Sequence, residues 1–339
     1  MWRERGRRRR RGGLRRPDAP RLPLEPPGAL RTAPPRIPLR AQRAVSLHCS
    51  ERRDPVDPQT RAAPDECVQF EQLGFFARAA VFSEAELGPL REAAERVHRA
   101  ILDAAEAEPV TPVEQIDNQR YQVLRGSTIK WEWREELRAI RSMEPCHHLD
   151  PHLAALVDDP RLWGPVRSVL GCEALSLFSD KLNVKRPGGA PFPWHQESPY
   201  WVYGAERLDR IVSVLVYLDD ASEENGCLWV IPGSHRFGHL PSLANRGTLG
   251  ALYTDVRGVP GTPRAIELPA GSVVTFHRDL VHGSRGNRGR SSRRVFVAAY
   301  QPAGLRRWRT SEVRNIRARD SRISSPRVGA EPGHDVSSS

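Results

Sequence analysis

The sequence predicts a mainly β protein with α-helices, an all-β barrel or sandwich carrying a helical N-terminal cover. Two observations predict it. Helical apolar spacing is confined to the chain before about residue 172, and from Ala174 onward short β-rich runs alternate with Gly and Pro turns. Ser83 and Glu86 form a capping box, flanked by Phe82 and Leu87 as a hydrophobic staple. Behind it Leu87, Leu90, Ala94, Val97 and Ile101 recur at helical spacing, with Pro89 predicting a kink or a delayed start. A second helical region spans about Asp150 to Leu170. Asp-Pro pairs at 150/151 and 159/160 supply its caps and first turns, and Gly171 ends it. Strands are expected at 174–186, 211–218, 227–231, 272–277 and 294–301.

The 339 residues hold 52 Lys+Arg against 41 Asp+Glu, a net charge of +11. Spread evenly, that excess would point to nucleic acid. It is concentrated instead. Residues 1–62 hold 17 Arg and six acids, and residues 304–339 hold eight Arg and four acids. Residues 63–303 carry 27 basic and 31 acidic residues, a net of −4, which argues against a nucleic-acid partner for the body. The expected organisation is therefore a disordered Arg/Pro-rich tail over 1–62, a single domain over 63–303 and a disordered basic tail over 304–339. Within the domain, 63–172 form the helical cover and 173–303 the β core. Ten prolines among the first 62 residues oppose an amphipathic transit helix, and an apolar leader core is missing. The longest apolar stretches, such as 211–218, fall well short of the roughly 18 residues of a membrane-spanning helix, so no membrane partner is expected. Five cysteines without CxxC spacing suit a reducing, cytoplasmic setting. Lys130, Lys181 and Lys185 are the only lysines, a skew toward Arg that codon bias explains more easily than phosphate contacts.

The chemistry concentrates in Pro193-Trp194-His195-Gln196-Glu197. In an extended segment His195 and Glu197 point to the same side. Joined by one distant histidine, they make the two-His-one-carboxylate triad that holds non-haem Fe(II) and leaves three coordination positions open. His282 is the best third ligand, and Gly283 behind it would let the backbone pass close to the metal. His277 is its competitor, at the end of an apolar run and without the Gly-Ser that follows His282. His147, His148 and His152 read as structural, because Asp150-Pro151 starts a helix among them. His235 and His239 fall in a Pro-Gly loop. Tyr200, Trp201 and Tyr203 suit barrel packing as well as a substrate wall, and Trp131 and Trp133 share a face if extended.

From Lys181 to Pro302 the chain resembles the phytanoyl-CoA dioxygenase family of Fe(II)/2-oxoglutarate oxygenases. Five motifs in order carry the resemblance. They are Lys185-Arg186-Pro187-Gly188 leading into WHQESPYW, Tyr217-Leu218-Asp219-Asp220, Glu224-Asn225-Gly226-Cys227-Leu228, Ile231-Pro232-Gly233-Ser234-His235, and His282-Gly283-Ser284. The resemblance implies a double-stranded β-helix, a jelly-roll barrel whose open mouth holds the iron, with His195, Glu197 and His282 on the metal positions. The family usually has Asp where this chain has Glu197, which keeps the charge and the oxygen ligand but adds a methylene. A retained carboxylate argues against a halogenase. The family's cosubstrate arginine lies about eleven residues beyond the second histidine, which is Arg293 here, with Arg294 on the other side of the strand. Its planar fork suits the far carboxylate of 2-oxoglutarate. Ser284, two after His282, matches a position that contacts the same carboxylate, and Asn183, whose alternation with Leu182 and Val184 puts a polar side chain on one face, is a further candidate contact.

The implied activity is hydroxylation of a C–H bond in a small organic molecule, using Fe(II), dioxygen and 2-oxoglutarate and releasing succinate. Two other readings stay open. One is a catalytically silent jelly-roll binding module, on the Asp-to-Glu change; the other is a related oxygenase acting on nucleic acid, on the Arg-rich tails. Neither the substrate nor the oligomeric state can be read from the chain.

Overall fold

The structure, a computed structural model, describes residues 60–316 apart from 108–110, 134–138, 203 and 244. Among the described residues there are thirteen strands and five α-helices. The strands are β1 (Phe75–Arg78), β2 (Glu114–Ile116), β3 (Gln119–Leu124), β4 (Ser127–Trp131), β5 (Ile140–Glu144), β6 (Leu175–Lys185) and β7 (Phe192–His195). They continue with β8 (Val212–Tyr217), β9 (Leu228–Val230), β10 (Arg264–Ile266), β11 (Val273–His277), β12 (His282–Ser284) and β13 (Arg293–Pro302). The helices are α1 (Pro64–Leu73), α2 (Glu84–Ala107), α3 (Pro151–Val157), α4 (Pro160–Leu170) and α5 (Ser198–Trp201).

Strands β1-β11-β8-β13-β6-β5-β4-β3-β2 make one antiparallel sheet, and β10-β9-β12-β7 make a smaller one that faces it. Residue parity assigns each face. Val212, Val214, Val216, Phe296, Ala298 and Tyr300 of the large sheet pack on the helices, against Ala93, Val97, Leu162 and Val166 among others. Their neighbours Leu215, Tyr217, Val295 and Val297 turn inward onto Leu228, Val230 and Ile266 of the small sheet. Both faces are covered, so β8 reads as a continuous apolar run instead of an alternating one. This is the jelly-roll architecture, with α2, α3 and α4 as the cover.

The helical signals act where expected. Glu86 Oε2 accepts from both the Ser83 amide and its hydroxyl at 2.8 Å, and α2 runs on through Pro89 without delay. Asp150 and Asp159 cap α3 and α4 by accepting the amides of His152 and Arg161. Gly171 closes α4 in the left-handed region at φ 59°.

Two parts of the expected organisation need correction. Residues 63–172 are not wholly helical, because 114–144 form β2 to β5 and extend the large sheet beyond β6. Gln119, Tyr121, Lys130, Arg141 and Ser142 of these strands line a cavity. Polar residues facing a cavity leave no apolar alternation to read. The stretch 304–316, expected as part of a disordered tail, is ordered here. Arg306 pairs with Val313 and Ser176 with Asn315, while Trp308 lies stacked on Phe178 with ring centroids 6.4 Å apart. Arg307 donates to Asp180 at 3.1 Å, deep in β6, where the same carboxylate accepts the amides of Cys146 and His147. Burial would raise the Asp180 carboxyl, but His147 and these amides hold it down at about 2. At the other end the body reaches back to Thr60, with Ala62 buried and its amide bonded to Ser168 Oγ. The tail expectations for 1–59 and 317–339, and the reading of Tyr203, lie outside the described residues.

Candidate active site

The register of two short strands builds the centre. In the β7–β12 pair, His195 lies directly opposite His282, so both imidazoles rise on one face, with ring centroids 4.1 Å apart. Each ring is oriented from behind. His195 Nδ1 donates to the Pro193 carbonyl at 2.7 Å, and His282 Nδ1 to the Leu280 carbonyl at 2.9 Å. That fixes the tautomers and leaves both Nε2 lone pairs free.

Glu197 arrives differently from the extended segment the sequence suggests. Strand β7 stops at His195, and Glu197 has φ −76° and ψ −31°, at the start of α5 with Pro199 in its first turn. Gln196 enforces the turn. Its buried side chain donates to Gly238 O and Asp279 O and accepts the Leu240 amide, while the Glu197 amide donates to Arg278 O. The longer Glu side chain still reaches the common point. Its Oε1 lies 3.5 Å from His282 Nε2, and one ligand atom from each of His195, Glu197 and His282 falls within 4.8 Å of the others. Two imidazole nitrogens and one carboxylate, all on one side, fit a divalent iron with open positions.

Charges around the centre support that donor set. Burial, reinforced by His282, lowers His195 to about 3, so it stays a neutral ligand. Burial acts to raise the Glu197 carboxyl, but Lys181 at 3.2 Å and His282 hold it far below the usual carboxylate range.

A second cluster lies deeper, where parity again decides. On β13 Arg293 points into the barrel with Val295 and Val297, whereas Arg294 points to the cover and is locked by Asp219 at 2.7 and 2.9 Å. On β6 Lys181, Asn183 and Lys185 share the inner parity while Leu182 and Val184 join the helical core. Arg293 is 4% exposed, and its Nε has no hydrogen-bond partner. Lys185, 2% exposed, donates to Ser284 Oγ at 2.6 Å. Burial and the adjacent Arg293 drive its ammonium well below the usual lysine range. Asn183 Oδ1 is likewise buried without a partner. Two buried cations with no paired carboxylate are costly unless an anion joins them, which fits one end of 2-oxoglutarate.

Gly283 makes a close approach, but to a strand and not to the metal position. A Cβ there would meet Phe192 O at 2.9 Å across the β7–β12 pair. Gly226 fills a need the sequence reading missed, since at φ +82° a Cβ would collide with Arg285 O and the Lys185 side chain. The other histidines take structural posts. His277 packs beside Phe70 and His235, His148 bonds Arg125 O, and His152 bonds Asp150. Trp131 Nε1 donates to Gln122 Oε1, Trp201 packs on Phe178, and Tyr200 meets His195 edge-on at 5.8 Å. Sequence reasoning also missed that Lys181, Lys185 and Lys130 gather around the candidate site. A signal existed, for the chain's only three lysines all lie at the two cavities or one contact behind them.

The fold and the donor set define a non-haem iron, 2-oxoglutarate-dependent dioxygenase, and the comparisons with known proteins agree. The chain belongs to the phytanoyl-CoA dioxygenase (PhyH) family, whose sequence profile matches residues 70–295. It is 31% identical over 182 residues to L-proline trans-4-hydroxylase of Streptomyces griseoviridis, covering 48% of this chain and 67% of that protein. It is 30% identical over 243 residues to ectoine dioxygenase of Bordetella parapertussis, covering 66% of this chain and 70% of that protein. The crystal structure of EctD from S. alaskensis with 2-oxoglutarate and 5-hydroxyectoine superposes with a TM-score of 0.52 at 25% identity, over 77% of this chain and 81% of that one. The carbocyclase SnoK from nogalamycin biosynthesis shares the fold, with a TM-score of 0.52 at 21% identity over 72% and 86% of the two chains. Iron, 2-oxoglutarate and dioxygen are thus the cofactor and cosubstrates. Among the described residues no helix is long and apolar enough to cross a membrane.

Proposed function

We propose that this chain hydroxylates a C–H bond of a small polar molecule, with His195, Glu197 and His282 holding the iron and Arg293, Lys185, Ser284 and Asn183 holding 2-oxoglutarate. One observation carries the reading: the register that sets His195 against His282 places them, with Glu197, at the mouth of a barrel whose interior holds unpaired cations. Bound iron supplies dioxygen activation coupled to oxidative decarboxylation, so that substrate, dioxygen and 2-oxoglutarate give hydroxylated product, succinate and carbon dioxide. The chain's own residues do the rest. The Pro193 and Leu280 carbonyls hold each histidine ring by its Nδ1 so that Nε2 faces the metal position, and Lys181 keeps Glu197 ionised. Arg293 and Lys185 orient the cosubstrate by its far carboxylate, while Leu215, Val295 and Val297 exclude water around it.

The substrate enters an outer cavity of about 340 Å³ bounded by Tyr121, Lys130, Arg141, Tyr200, Tyr253 and Arg309. Its size suits molecules of the scale of L-proline and ectoine, on which the named relatives act. The free thiols Cys67, Cys146, Cys172 and Cys227 support a cytoplasmic setting. The test is Fe(II)-dependent succinate formation from 2-oxoglutarate, stimulated by a small polar substrate. Wild-type turnover that His195→Ala abolishes supports the proposal, and turnover indifferent to that change refutes it.

A further inference from the structure

Of the charged side chains bounding the outer cavity, Lys130, Arg141, Lys181 and Arg309 are cationic and Glu144 and Glu197 are anionic. Two pairs form. Lys181 engages Glu197 at 3.2 Å, and Arg309 approaches Glu144 at 3.7 Å, where Ser179 also donates at 2.7 Å. Lys130 and Arg141 are left over.

Arg141 is the sharper anomaly. It is 2% exposed, and of its guanidinium nitrogens only Nη2 has a partner, the Pro191 carbonyl at 2.8 Å. Nε and Nη1 are buried without one. Glu132, the buried carboxylate whose charge acts most strongly on Arg141, spends Oε1 on the amides of Trp133 and Ala190. The guanidinium is held against two rings, over Phe192 at 4.2 Å and over Trp133 at 4.9 Å. Lys130 lies beside it on the next strand, over the Tyr121 ring at 5.3 Å. Burial, together with Arg141 and Lys181, pushes its ammonium down to about 7. A rigid, desolvated cation with open donors lining a cavity is a site awaiting an anion. That anion is not the cosubstrate's. Arg141 and Lys130 line the outer cavity, whereas Arg293 and Ser284, the partner of Lys185, line the inner one, and the Phe192 ring lies 4.2 Å from Arg141 and 5.2 Å from Lys185 where the two meet.

We infer that the substrate carries an oxyanion, a carboxylate or phosphonate, and that Arg141 with support from Lys130 holds it while the C–H bond faces the metal position. This rests on the oxygenase reading and narrows its substrate class. Arg141 and Lys130 act as specificity residues, favouring acids over the corresponding amides.

The test uses the full chain loaded anaerobically with Fe(II) and saturating 2-oxoglutarate. Methylphosphonate and propionate are the probes, propionamide is the uncharged control, and the thermal unfolding midpoint is the readout. Either anion should raise the midpoint saturably while propionamide leaves it unchanged. Arg141→Gln should weaken the anion's binding by about tenfold or more, Lys130→Gln by about threefold, and Arg141→Lys should keep most of it. The visible iron–2-oxoglutarate charge-transfer band must persist in each variant, showing that fold and cosubstrate site are intact. No response to either anion in wild type, an equal response in Arg141→Gln, or a weaker 2-oxoglutarate band in Arg141→Gln would overturn the inference. A band missing from wild type would overturn the oxygenase reading itself, a distinct failure.

Discussion

The inner and outer halves of the active site are built on different terms. The inner half comes from β6, β7, β12 and β13, where strand register and parity place each group, and its carboxylate Glu197 is matched by Lys181. The outer wall comes from β3, β4, β5 and the 304–316 segment, and it retains a buried guanidinium with two unpaired nitrogens. The difference separates two tasks. In the proposed reading the jelly-roll strands fix the reaction, and the added strands fix what the reaction is performed on.

The comparison breaks most severely at the histidines. His195→Ala or His282→Ala should lower succinate formation by about three orders of magnitude or more and abolish stoichiometric iron binding, measured by metal analysis of the reconstituted protein. Next comes the pair on β13. Arg293→Met should raise the KM for 2-oxoglutarate by about a hundredfold. Arg294→Met should leave that KM unchanged and cost roughly 2 kcal/mol in denaturant unfolding, through the lost Asp219 contacts. If the two variants exchange phenotypes, the parity assignment is wrong.

Smaller effects sharpen the electrostatic half of the contrast. His195 is held at about 3 in the fold against an ordinary 6.5, so the unfolded chain takes up that proton first. The stability of the metal-free protein should therefore fall as pH drops from about 6.5 toward 3, and His195→Gln should flatten this part of the profile. Glu197 is depressed too, so its contribution is present above the unfolded value and lost at lower pH. Lys181→Met should move that loss to higher pH, seen as an earlier acid transition. Smallest of all, removing residues 1–59 while keeping Thr60 should change turnover by less than about twofold.

Legibility in the sequence follows the same division. The capping box at Ser83, the Asp-Pro starts at 150 and 159 and the apolar run at β8 are local signals, and they mark elements where the structure has them. The histidine pair could be proposed because motif order carried the long-range information that spacing alone lacks. Strands β2 to β5 could not, since their inward residues Gln119, Tyr121, Lys130 and Arg141 are polar side chains facing a cavity. Arg307 could not either, because its reason for being ordered is Asp180, 127 residues away. The turn at Gln196 depends on carbonyls at 238 and 279 and was equally hidden. Lysine scarcity was visible throughout, but it became informative only once Lys130, Lys181 and Lys185 were seen around the same site.

The most direct test of the central assignment is the anaerobic visible spectrum of the full chain with Fe(II) and 2-oxoglutarate. Wild type should develop the iron–2-oxoglutarate charge-transfer band with one iron per chain, and His195→Ala should show none. A wild-type spectrum without the band, in protein that folds and binds iron, would contradict the account.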